Sequence, residues 1–474
     1  MCRSAAIQSA SEALADGSRL NGVFAESRHS KSFANSTQSI TTFPMPLTAI
    51  DIRRRHESLE GLALEEHQLA RLNALCARML PDNRFYAEKL AEVRLPLASL
   101  DELAEFPFTF KEELLASRHA GGFAANLTHP TEQYVRFHQT SGTRGRPLVV
   151  LDTAADWAWW MECWQHVLDA AGVGPEDTAM LAFSFGPFVG FWSACDAAAA
   201  RGCLVVPGGG LNTAARLEML RTSRATIVFC TPSYALHMAE VAAARQIDVA
   251  ELPVRALVLA GEPGGSIPAV RDRIGQAWQA DVFDHCGATE VGPWGYSDVQ
   301  RRGLHVLESE FIAEFLSLAT GGPAGEGEMA ELVLTNLGRA GCPVIRYRTG
   351  DVVRPVWRHH ERTRFVLLEG GVLGRTDDMM IVRGVNIFPS AIEQIVRSFP
   401  EVLEYRTLVR KHEEMDQLAV EIEDRLDQPR RVADELQLRL GLKVEVRNVP
   451  PGTLPRFEGK GARFVDERRK PTSH

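Results

Sequence analysis

The chain has 474 residues, of which 45% are hydrophobic and 24% are charged, as is typical of globular proteins. Its length predicts two or three domains. A net charge of −9 disfavours a partner held through nucleic-acid phosphates, and no run approaches the roughly 18 apolar residues that a membrane span requires. Neither nucleic acid nor a membrane is therefore expected as a partner.

The eight cysteines are scattered, and no Cys-x-x-Cys or Cys/His group has the spacing of a zinc site. Reduced thiols in a cytoplasm are the simplest interpretation. Residues 1–44 are rich in Ser, Ala and Asn without a sustained period, which predicts a disordered extension. A transit peptide, disfavoured by Glu12, Asp16 and Glu26, and a start codon upstream of Met45 stay open as alternatives.

Apolar residues at helical spacing from Ile50 to Val93 predict a helical lead-in. A stretch rich in glycine and hydroxyl groups follows at Phe137–Val149. Small residues there let backbone N–H groups approach an anion, while hydroxyls add donors, so the pattern predicts a polyphosphate loop made by Thr140, Ser141, Gly142, Thr143 and Gly145. A solvated turn is the alternative.

Four tryptophans after this loop mark an amphipathic helix and are interpreted as core residues: Trp157, Trp159, Trp160 and Trp164. From Asp177 onward, short apolar runs alternate with helices of about ten residues, which is typical of a doubly wound parallel sheet. The predicted strands are Thr178–Phe183, Cys203–Val206, Ala225–Cys230, Arg255–Ala260 and Ala280–Phe283, and the predicted helices are Phe191–Arg201, Thr213–Ser223, Tyr234–Arg245 and Ile267–Gln279.

Ligands of such sheets bind beyond the carboxyl ends of the strands. Function is therefore expected in three loops that follow strands: Ser184–Gly190, Gly261–Gly265 and Asp284–Glu290.

Beyond Gly295, shorter strands with glycine-rich turns, including Met329–Thr335 and Val344–Tyr347, predict a small β-barrel or sheet. After a boundary near Gly374, the pattern predicts an α+β domain. Its elements are strands at Met379–Val382, Tyr405–Val409, Leu418–Ile422 and Lys443–Val446, and helices after Ser390 and at Val432–Leu440. Ser390 with Glu393 three residues later predicts a capping box.

Five motifs follow one another in a characteristic order: Thr140–Thr143, Ala288–Glu290, Tyr347–Asp351, Gly374–Asp378 with Arg383–Pro389, and Leu454–Arg463. With them the chain resembles the adenylate-forming superfamily of acyl-CoA synthetases. Further segments resemble its phenylacetate–CoA ligase branch: Thr231–Leu236, Gly303–His305, Asp377–Pro389 and Arg463–Arg468.

The resemblance implies an α/β fold with a large N-terminal domain at 45–374, containing doubly wound, mostly parallel sheets plus a small β-barrel. A hinge at 375–378 and a smaller mobile α+β C-terminal lid domain at 379–474 follow. It also implies an enzyme that uses ATP and Mg²⁺ to convert an aromatic carboxylic acid into an acyl-adenylate, and then transfers the acyl group to coenzyme A.

Residue roles follow from the same resemblance. Lys460 is the catalytic lysine, which places a cation between two repelling anions. Thr140, Ser141, Gly142, Thr143 and Gly145 hold phosphates, Glu290 holds magnesium, Asp351 binds the ribose hydroxyls, and Arg375 contacts the ribose or α-phosphate. Asp377 is the hinge and Gly384 makes room for pantetheine. The remaining nucleotide-binding candidates are Gly261, Glu262, Pro263, His285, Cys286, Gly287 and Thr289.

Cys286 stands where most relatives place an aromatic residue against adenine, and His285 is a partial substitute for that aromatic ring. Phe185, Phe188 and Trp294 are expected to line an aromatic acid pocket, with core packing as the alternative. His305 has no cysteine near it in the sequence, so no structural zinc is expected.

The expected partners are a small carboxylic acid, ATP and CoA. A carrier-protein thiol as acceptor, an inactive nucleotide-binding sensor, and a homodimer are left open. The unusual Cys286 favours the sensor, whereas Lys460, Glu290 and Asp351 oppose it.

Overall fold

The structure is a computed structural model that describes residues 48–116, 122–140, 146–184, 186–298, 300–357, 363–377, 379–382, 385–412, 415–455 and 463–469. The predicted disordered extension at 1–44 lies outside these ranges. In the described part, no helix combines the length and apolar character needed to cross a membrane.

The predicted helical lead-in is confirmed as α1 (Ala49–Glu57), α2 (Gly61–Met79) and α3 (Arg84–Lys89), with α4 (Lys111–Leu115) after a connection. Thr48 starts α1 with a reciprocal cap: its Oγ1 accepts from the Asp51 N–H at 3.3 Å, and its own N–H donates to the Asp51 carboxylate at 3.0 Å. The apolar faces of α2 and α3 pack with Ile312, Leu337 and Ile345 from later in the chain.

An antiparallel hairpin of β1 (Tyr134–Gln139) and β2 (Val149–Thr153) leads into α5 (Ala154–Ala170). The interpretation of the α5 tryptophans as core residues is confirmed, because Trp157, Trp159, Trp160 and Trp164 are all at most 8% exposed. They join the apolar cluster on one side of the central sheet.

The predicted α/β alternation is also confirmed. The parallel strands are β3 (Thr178–Leu181), β4 (Leu204–Pro207), β5 (Ile227–Cys230), β6 (Ala256–Leu259) and β7 (Asp281–Ala288); the helices are α6 (Val189–Ala200), α7 (Thr213–Ser223), α8 (Pro232–Ala244) and α9 (Pro268–Trp278). Helices α5 and α6 pack on one face of the sheet, while α7, α8 and α9 pack on the other.

Strand β7 is longer than predicted. It was expected to end at Phe283 but continues to Ala288, because its second half pairs antiparallel with the next strand, with His285 opposite Tyr296. Four antiparallel strands extend the sheet at this edge: β8 (Gly292–Ser297), β9 (Gly303–Val306), β13 (Pro355–Val356) and β14 (Leu367–Glu369). The described order is β13-β14-β9-β8-β7-β6-β5-β3-β4.

The region predicted as a small barrel or sheet is a four-stranded antiparallel sheet of β10 (Phe311–Ser317), β11 (Ala330–Asn336), β12 (Tyr347–Val353) and β15 (Gly374–Arg375). The strand predicted at Val344–Tyr347 is wrong. Arg346 has a φ of +48°, in the left-handed region, so extended structure starts only at Tyr347.

The C-terminal α+β prediction is confirmed. A hairpin of β16 (Met380–Val382) and β17 (Val385–Ile387) precedes α10 (Pro389–Arg397), β18 (Val402–His412), β19 (Met415–Asp424), α11 (Pro429–Leu440), β20 (Glu445–Asn448) and β21 (Phe464–Asp466). The last four strands form a sheet in the order β20-β19-β18-β21, and α10 and α11 bury their apolar sides in this domain's own core.

The capping box predicted at Ser390 is wrong. Helix α10 has Phe388 as its N-cap, so Ser390 lies inside the first turn. Its hydroxyl donates instead to the Leu373 carbonyl of the preceding domain. The residue pattern was correct for a helix start, but a tertiary contact takes the serine.

Candidate active site

Thr140 directly follows strand β1, at the start of the predicted phosphate loop. Its N–H donates to the Leu148 carbonyl and its Oγ1 accepts from the Leu148 N–H, both at 3.0 Å. The preceding Gln139 N–H donates to the Pro187 carbonyl at 2.8 Å, which ties the hairpin to the loop before α6. Thr140 is thus fixed in place, while Ser141, Gly142, Thr143 and Gly145 lie outside the described residues.

Glu290 follows β7 and is buried. The Tyr347 hydroxyl donates to its Oε1 at 2.9 Å, and the Lys111 Nζ lies 3.3 Å from the same oxygen. Burial alone would raise the pKa of Glu290, but the Lys111 ammonium and the hydrogen bonds lower it overall. The carboxylate is therefore charged at neutral pH, and a charged oxygen ligand of this kind suits Mg²⁺.

Lys111 was not identified from the sequence. It begins the short helix α4, and 179 residues separate it from Glu290. A lysine at a helix start carries no motif, so only the fold brings this cation to the site.

Arg339 was also missed. It is fully buried, and its Nε donates to the Asp152 carboxylate at 2.7 Å while its Nη1 donates to the Thr289 carbonyl at 2.9 Å. Its guanidinium lies 5.3 Å from the ring centroid of Trp160. Since Asp152 belongs to β2, this arginine joins the hairpin that carries Thr140 to the turn that carries Glu290.

The loop after β6 is held in one conformation by two glycines and by a hydrogen bond to helix α8. Gly261 has a φ of +94° and Gly264 a φ of +150°, conformations that strain other residues. The Glu262 Oε1 accepts from the Ser233 N–H at 2.7 Å, so Glu262 caps the N-terminus of α8, while Pro263 is exposed. These contacts fix the loop between two neighbouring strands.

Asp284 lies in strand β7, where two donors hold its carboxyl group. The Ser266 hydroxyl donates to it, and its Oδ1 accepts from the His285 N–H at 3.0 Å. Burial raises the pKa of Asp284 to about 6. This carboxyl group therefore stabilises the fold below about pH 4, and that contribution is lost as the pH rises through about 6.

We expect Asp284→Asn to remove this pH dependence. The amide keeps an acceptor for the His285 N–H but cannot ionise, so the variant should gain up to about 3 kcal/mol over the parent chain above pH 7. Urea unfolding of both proteins at several pH values between 4 and 8 measures the difference. A parallel fall in the free energy of unfolding of both proteins over that range would show that Asp284 is not the group responsible.

The His285 ring, the predicted partial substitute for an adenine-stacking ring, packs in the core of the domain. Its Nδ1 lies 2.7 Å from the Gly295 carbonyl, its ring centroid lies 4.2 Å from that of Trp164, and it is 7% exposed. Burial lowers its pKa to about 4, so the imidazole is neutral at physiological pH. The ring contacts Trp164 of helix α5, on a residue that pairs with Tyr296 across the sheet, and its contact with adenine stays a prediction.

Cys286 and Gly287 continue the strand toward the Glu290 turn. Cys286 lies opposite Gly295 and is half-buried. A Cβ on Gly287 would lie 3.0 Å from the Gly292 carbonyl oxygen, a tight contact, so this close approach of the two strands favours glycine. The seven described cysteines are not in disulfides.

Asp351 and Arg375 face each other across β12 and β15. The Arg375 Nη1 donates to the Asp351 Oδ1 at 2.9 Å, and its Nε donates to the Asp377 Oδ1 at 3.1 Å. Gly350, which precedes Asp351 within β12, has a φ of +74°, a conformation that strains other residues. The structure thus brings three of the predicted nucleotide-side residues together.

The predicted acid-pocket residues are in different environments. Phe188 precedes α6 and is 45% exposed, whereas Trp294 is fully buried in the core. Trp192, one turn after Phe188, is half-buried and donates from its indole N–H to the Gly186 carbonyl at 2.9 Å.

Phe185, Gly384 and Lys460 lie outside the described residues. Among the residues described, no group of three or more His, Cys, Asp or Glu side chains is arranged to hold a metal.

Comparison with known proteins shows which family this chain belongs to. The family model of AMP-binding enzymes matches residues 98–309, and that of the AMP-binding enzyme C-terminal domain matches 384–468. The phenylacetate-coenzyme A ligase of Thermus thermophilus is 32% identical over 86% of this chain and 96% of that protein. The enzyme of the same name from Pseudomonas putida is 31% identical over 86% of this chain and 94% of that protein.

The fold is similar to that of 2-hydroxyisobutyryl-CoA ligase. With the structure of that ligase in the postadenylation state with R3-HIB-AMP, the TM-score is 0.83 at 26% identity, covering 90% of this chain and 94% of that one. With the same ligase in the thioesterification state, in complex with 2-HIB-AMP and CoA, the TM-score is 0.65 at 26% identity, covering 90% and 95%.

The sheet architecture and the matched domains define an adenylate-forming enzyme, and the predicted α/β fold class is confirmed. The chain belongs to the AMP-binding enzymes and, within them, to the family of the phenylacetate–coenzyme A ligases. The class predicted from the sequence, an AMP-forming acid–CoA ligase, is likewise confirmed.

Proposed function

We propose that this chain converts an aromatic carboxylic acid, aryl or arylacetic, into its CoA thioester with ATP. In the first step a carboxylate oxygen attacks the α-phosphorus of ATP, the bond to pyrophosphate breaks, and an acyl-adenylate forms. In the second step the CoA thiol attacks the acyl carbon and AMP leaves. One observation carries the proposal: the similarity to a phenylacetate-coenzyme A ligase extends over 96% of that protein.

Lys460 is the proposed cation of the first step, because the acid and the α-phosphate are both negative and repel each other. It lies within the matched C-terminal domain at 384–468. Thr140, with Ser141, Gly142, Thr143 and Gly145, holds the β- and γ-phosphates. Lys111 adds positive charge beside Glu290 on the phosphate side.

Glu290 is the proposed magnesium ligand. Its buried, charged carboxylate fits this metal, which proteins usually hold through one or two carboxylates together with substrate phosphates. A bound Mg²⁺ would neutralise phosphate charge.

Asp351 accepts hydrogen bonds from the ribose hydroxyls, and Arg375, already 2.9 Å from Asp351, holds that carboxylate in place.

The domain at 379–474 is proposed to turn at Asp377 between the two steps, withdrawing Lys460 and bringing Gly384 toward the thiol. The higher TM-score with the postadenylation state (0.83) than with the thioesterification state (0.65) of one ligase supports two arrangements of the same domains. The Arg375–Asp377 contact at 3.1 Å lies at the proposed hinge.

The acid is proposed to be aromatic because two relatives are named for phenylacetate. Two aromatic residues at the start of α6 agree with this: Phe188 is its N-cap, and Trp192 lies one turn further on. The test is CoA-thioester formation with a panel of aryl, arylacetic and short aliphatic acids, followed by mass spectrometry. We expect thioesters from the aromatic acids. Exclusive use of short aliphatic acids would overturn the proposed substrate class but not the chemistry.

A further inference from the structure

Glu290 lies in a tight turn between strands β7 and β8. One backbone hydrogen bond closes this turn, in which the Val291 N–H donates to the Ala288 carbonyl at 3.0 Å. The residues on either side of Glu290 are Thr289 and Val291, and the carbonyl of each accepts a hydrogen bond from a side chain of a later segment. The position of Glu290 therefore depends on more than its own turn.

The two donors come from residues 336–339, at the end of strand β11. The Asn336 Nδ2 donates to the Val291 carbonyl at 2.9 Å, and the Arg339 Nη1 donates to the Thr289 carbonyl at 2.9 Å. Asn336 and Arg339, here called the clamp, are both fully buried. Because β11 belongs to the four-stranded sheet, the clamp fastens the Glu290 turn of the large sheet to a second sheet.

Each clamp residue is also held on its other side. The Asn336 Oδ1 accepts from the Val344 N–H at 3.3 Å, so one amide group bridges two backbone segments. The Arg339 Nε donates to the Asp152 Oδ1 at 2.7 Å, and neither side chain is exposed. Breaking a buried ion pair is costly, because the remaining charge is left without a partner. The surroundings of the clamp therefore set the direction of both donors.

The clamp acts on the main chain, whereas Tyr347 and Lys111 contact the carboxylate of Glu290. The direction of a side chain follows from the main chain that carries it, so loss of a clamp hydrogen bond would displace the carboxylate without changing its charge. Mg²⁺ requires near-ideal octahedral geometry, with ligand oxygens at about 2.0–2.1 Å. A small displacement of one ligand is therefore enough to weaken the binding of this metal.

We propose that Asn336 and Arg339 position Glu290 for Mg²⁺. Both are positioning residues, since they act through the main chain on either side of the ligand. This inference rests on the proposed function, in which Glu290 holds the metal. It predicts that a clamp variant binds Mg²⁺ more weakly although the net charge of the site is unchanged.

The test compares Asn336→Ala and Arg339→Lys with the full-length parent chain in acid-dependent pyrophosphate–ATP exchange. Loss of a group that orients a metal ligand costs about 10- to 100-fold in metal affinity or activity. We therefore expect Asn336→Ala to raise the Mg²⁺ concentration for half-maximal rate by about tenfold. At saturating Mg²⁺, kcat should return to within about threefold of the parent value. A lower kcat with an unchanged Mg²⁺ dependence would overturn the inference.

Arg339→Lys should change the Mg²⁺ dependence in the same direction. The lysine keeps the positive charge beside Asp152, but its single ammonium lacks the fixed geometry with which the guanidinium reaches both Asp152 and the Thr289 carbonyl. If Asn336→Ala does not fold, Asn336→Ser, which keeps a hydroxyl in place of the amide, carries the comparison together with Arg339→Lys.

Asn73→Ala and Arg201→Lys are the matched controls. Asn73 also joins two backbone groups, since its Nδ2 donates to the Leu97 carbonyl at 2.9 Å and its Oδ1 accepts from the Leu97 N–H at 2.8 Å. The Arg201 Nη2 likewise donates to a carboxylate, that of Asp169, at 2.7 Å and to the Gln165 carbonyl at 3.0 Å. Because these contacts are made to other segments than the Glu290 turn, both controls should show the Mg²⁺ dependence of the parent chain.

A double variant distinguishes positioning from a general loss of structure. If the clamp acts through Glu290, adding Asn336→Ala to Glu290→Gln should lower exchange by less than about twofold further, because the metal ligand is already absent. An equal loss from Asn336→Ala in both backgrounds would show that it acts independently of Glu290, and the inference would be wrong.

Metal binding is also measurable without turnover. Mn²⁺ suits the same oxygen ligands as Mg²⁺ and is paramagnetic, so its binding to each protein in the presence of ATP can be followed by electron paramagnetic resonance. We expect about tenfold weaker Mn²⁺ binding in Asn336→Ala and parent-like binding in Asn73→Ala. This titration remains informative if the parent chain adenylates no acid, so failure of the inference is distinguishable from failure of the proposed function. Unchanged Mn²⁺ affinity in both clamp variants would overturn the inference.

Discussion

Replacing Lys460 with alanine is expected to lower acid-dependent pyrophosphate–ATP exchange by about 100- to 1,000-fold, as for loss of one group that stabilises transition-state charge. Transfer from a chemically supplied acyl-adenylate to CoA should survive, because the two anions have already been joined in that substrate. Measuring the two half-reactions separately on the same preparation shows whether exchange is lost while transfer to CoA survives.

Lys443→Ala is the control for Lys460→Ala. Lys443 is an exposed lysine of the same C-terminal domain, so its loss changes the net charge equally without touching the proposed chemistry. It should behave as the parent chain does. Comparable losses in both half-reactions of Lys460→Ala would contradict the role proposed for Lys460.

The second large effect is expected for Glu290→Gln. The amide keeps the shape of the side chain but removes the charge that would hold Mg²⁺, and it leaves the ammonium of Lys111 without its 3.3 Å carboxylate partner. We expect exchange to fall by about 100-fold and the Mg²⁺ concentration for half-maximal rate to rise. A titration of exchange against Mg²⁺ measures both quantities.

Tyr347→Phe separates metal binding from local packing. It removes only the 2.9 Å hydrogen bond to Glu290, so the loss should be about tenfold or less and the Mg²⁺ requirement should change little. If Glu290→Gln instead left the Mg²⁺ dependence unchanged, Glu290 would not be a metal ligand.

Local pattern was enough to predict most of the fold. The apolar runs and helical spacing between Thr178 and Phe283 are strong signals, and the alternation that they predict is present. Errors occurred where contacts with other elements decide, which a local pattern does not contain. Strand β7 runs on because β8 pairs with it, and Ser390 leaves its predicted cap because Leu373 of another domain accepts from it.

Motifs in the sequence contain the candidate-site residues Glu290, Asp351 and Arg375, and the roles of these three residues stay predictions. The places of Lys111 and Arg339 in the candidate site were not predictable. Each of these is an isolated cation in the sequence, and its role depends on carboxylates that are 179 and 187 residues away. His285 shows the opposite case, since its motif position suggests a ligand contact while strand pairing turns its ring into the core.

The central claim is that this chain joins a carboxylic acid to the α-phosphate of ATP. Its most direct test is pyrophosphate–ATP exchange by the full-length chain in the absence of CoA, with and without each of a panel of aromatic acids. We expect exchange that requires both an acid and Mg²⁺. Binding of ATP without exchange for any acid offered would contradict the claim and favour a nucleotide-binding sensor.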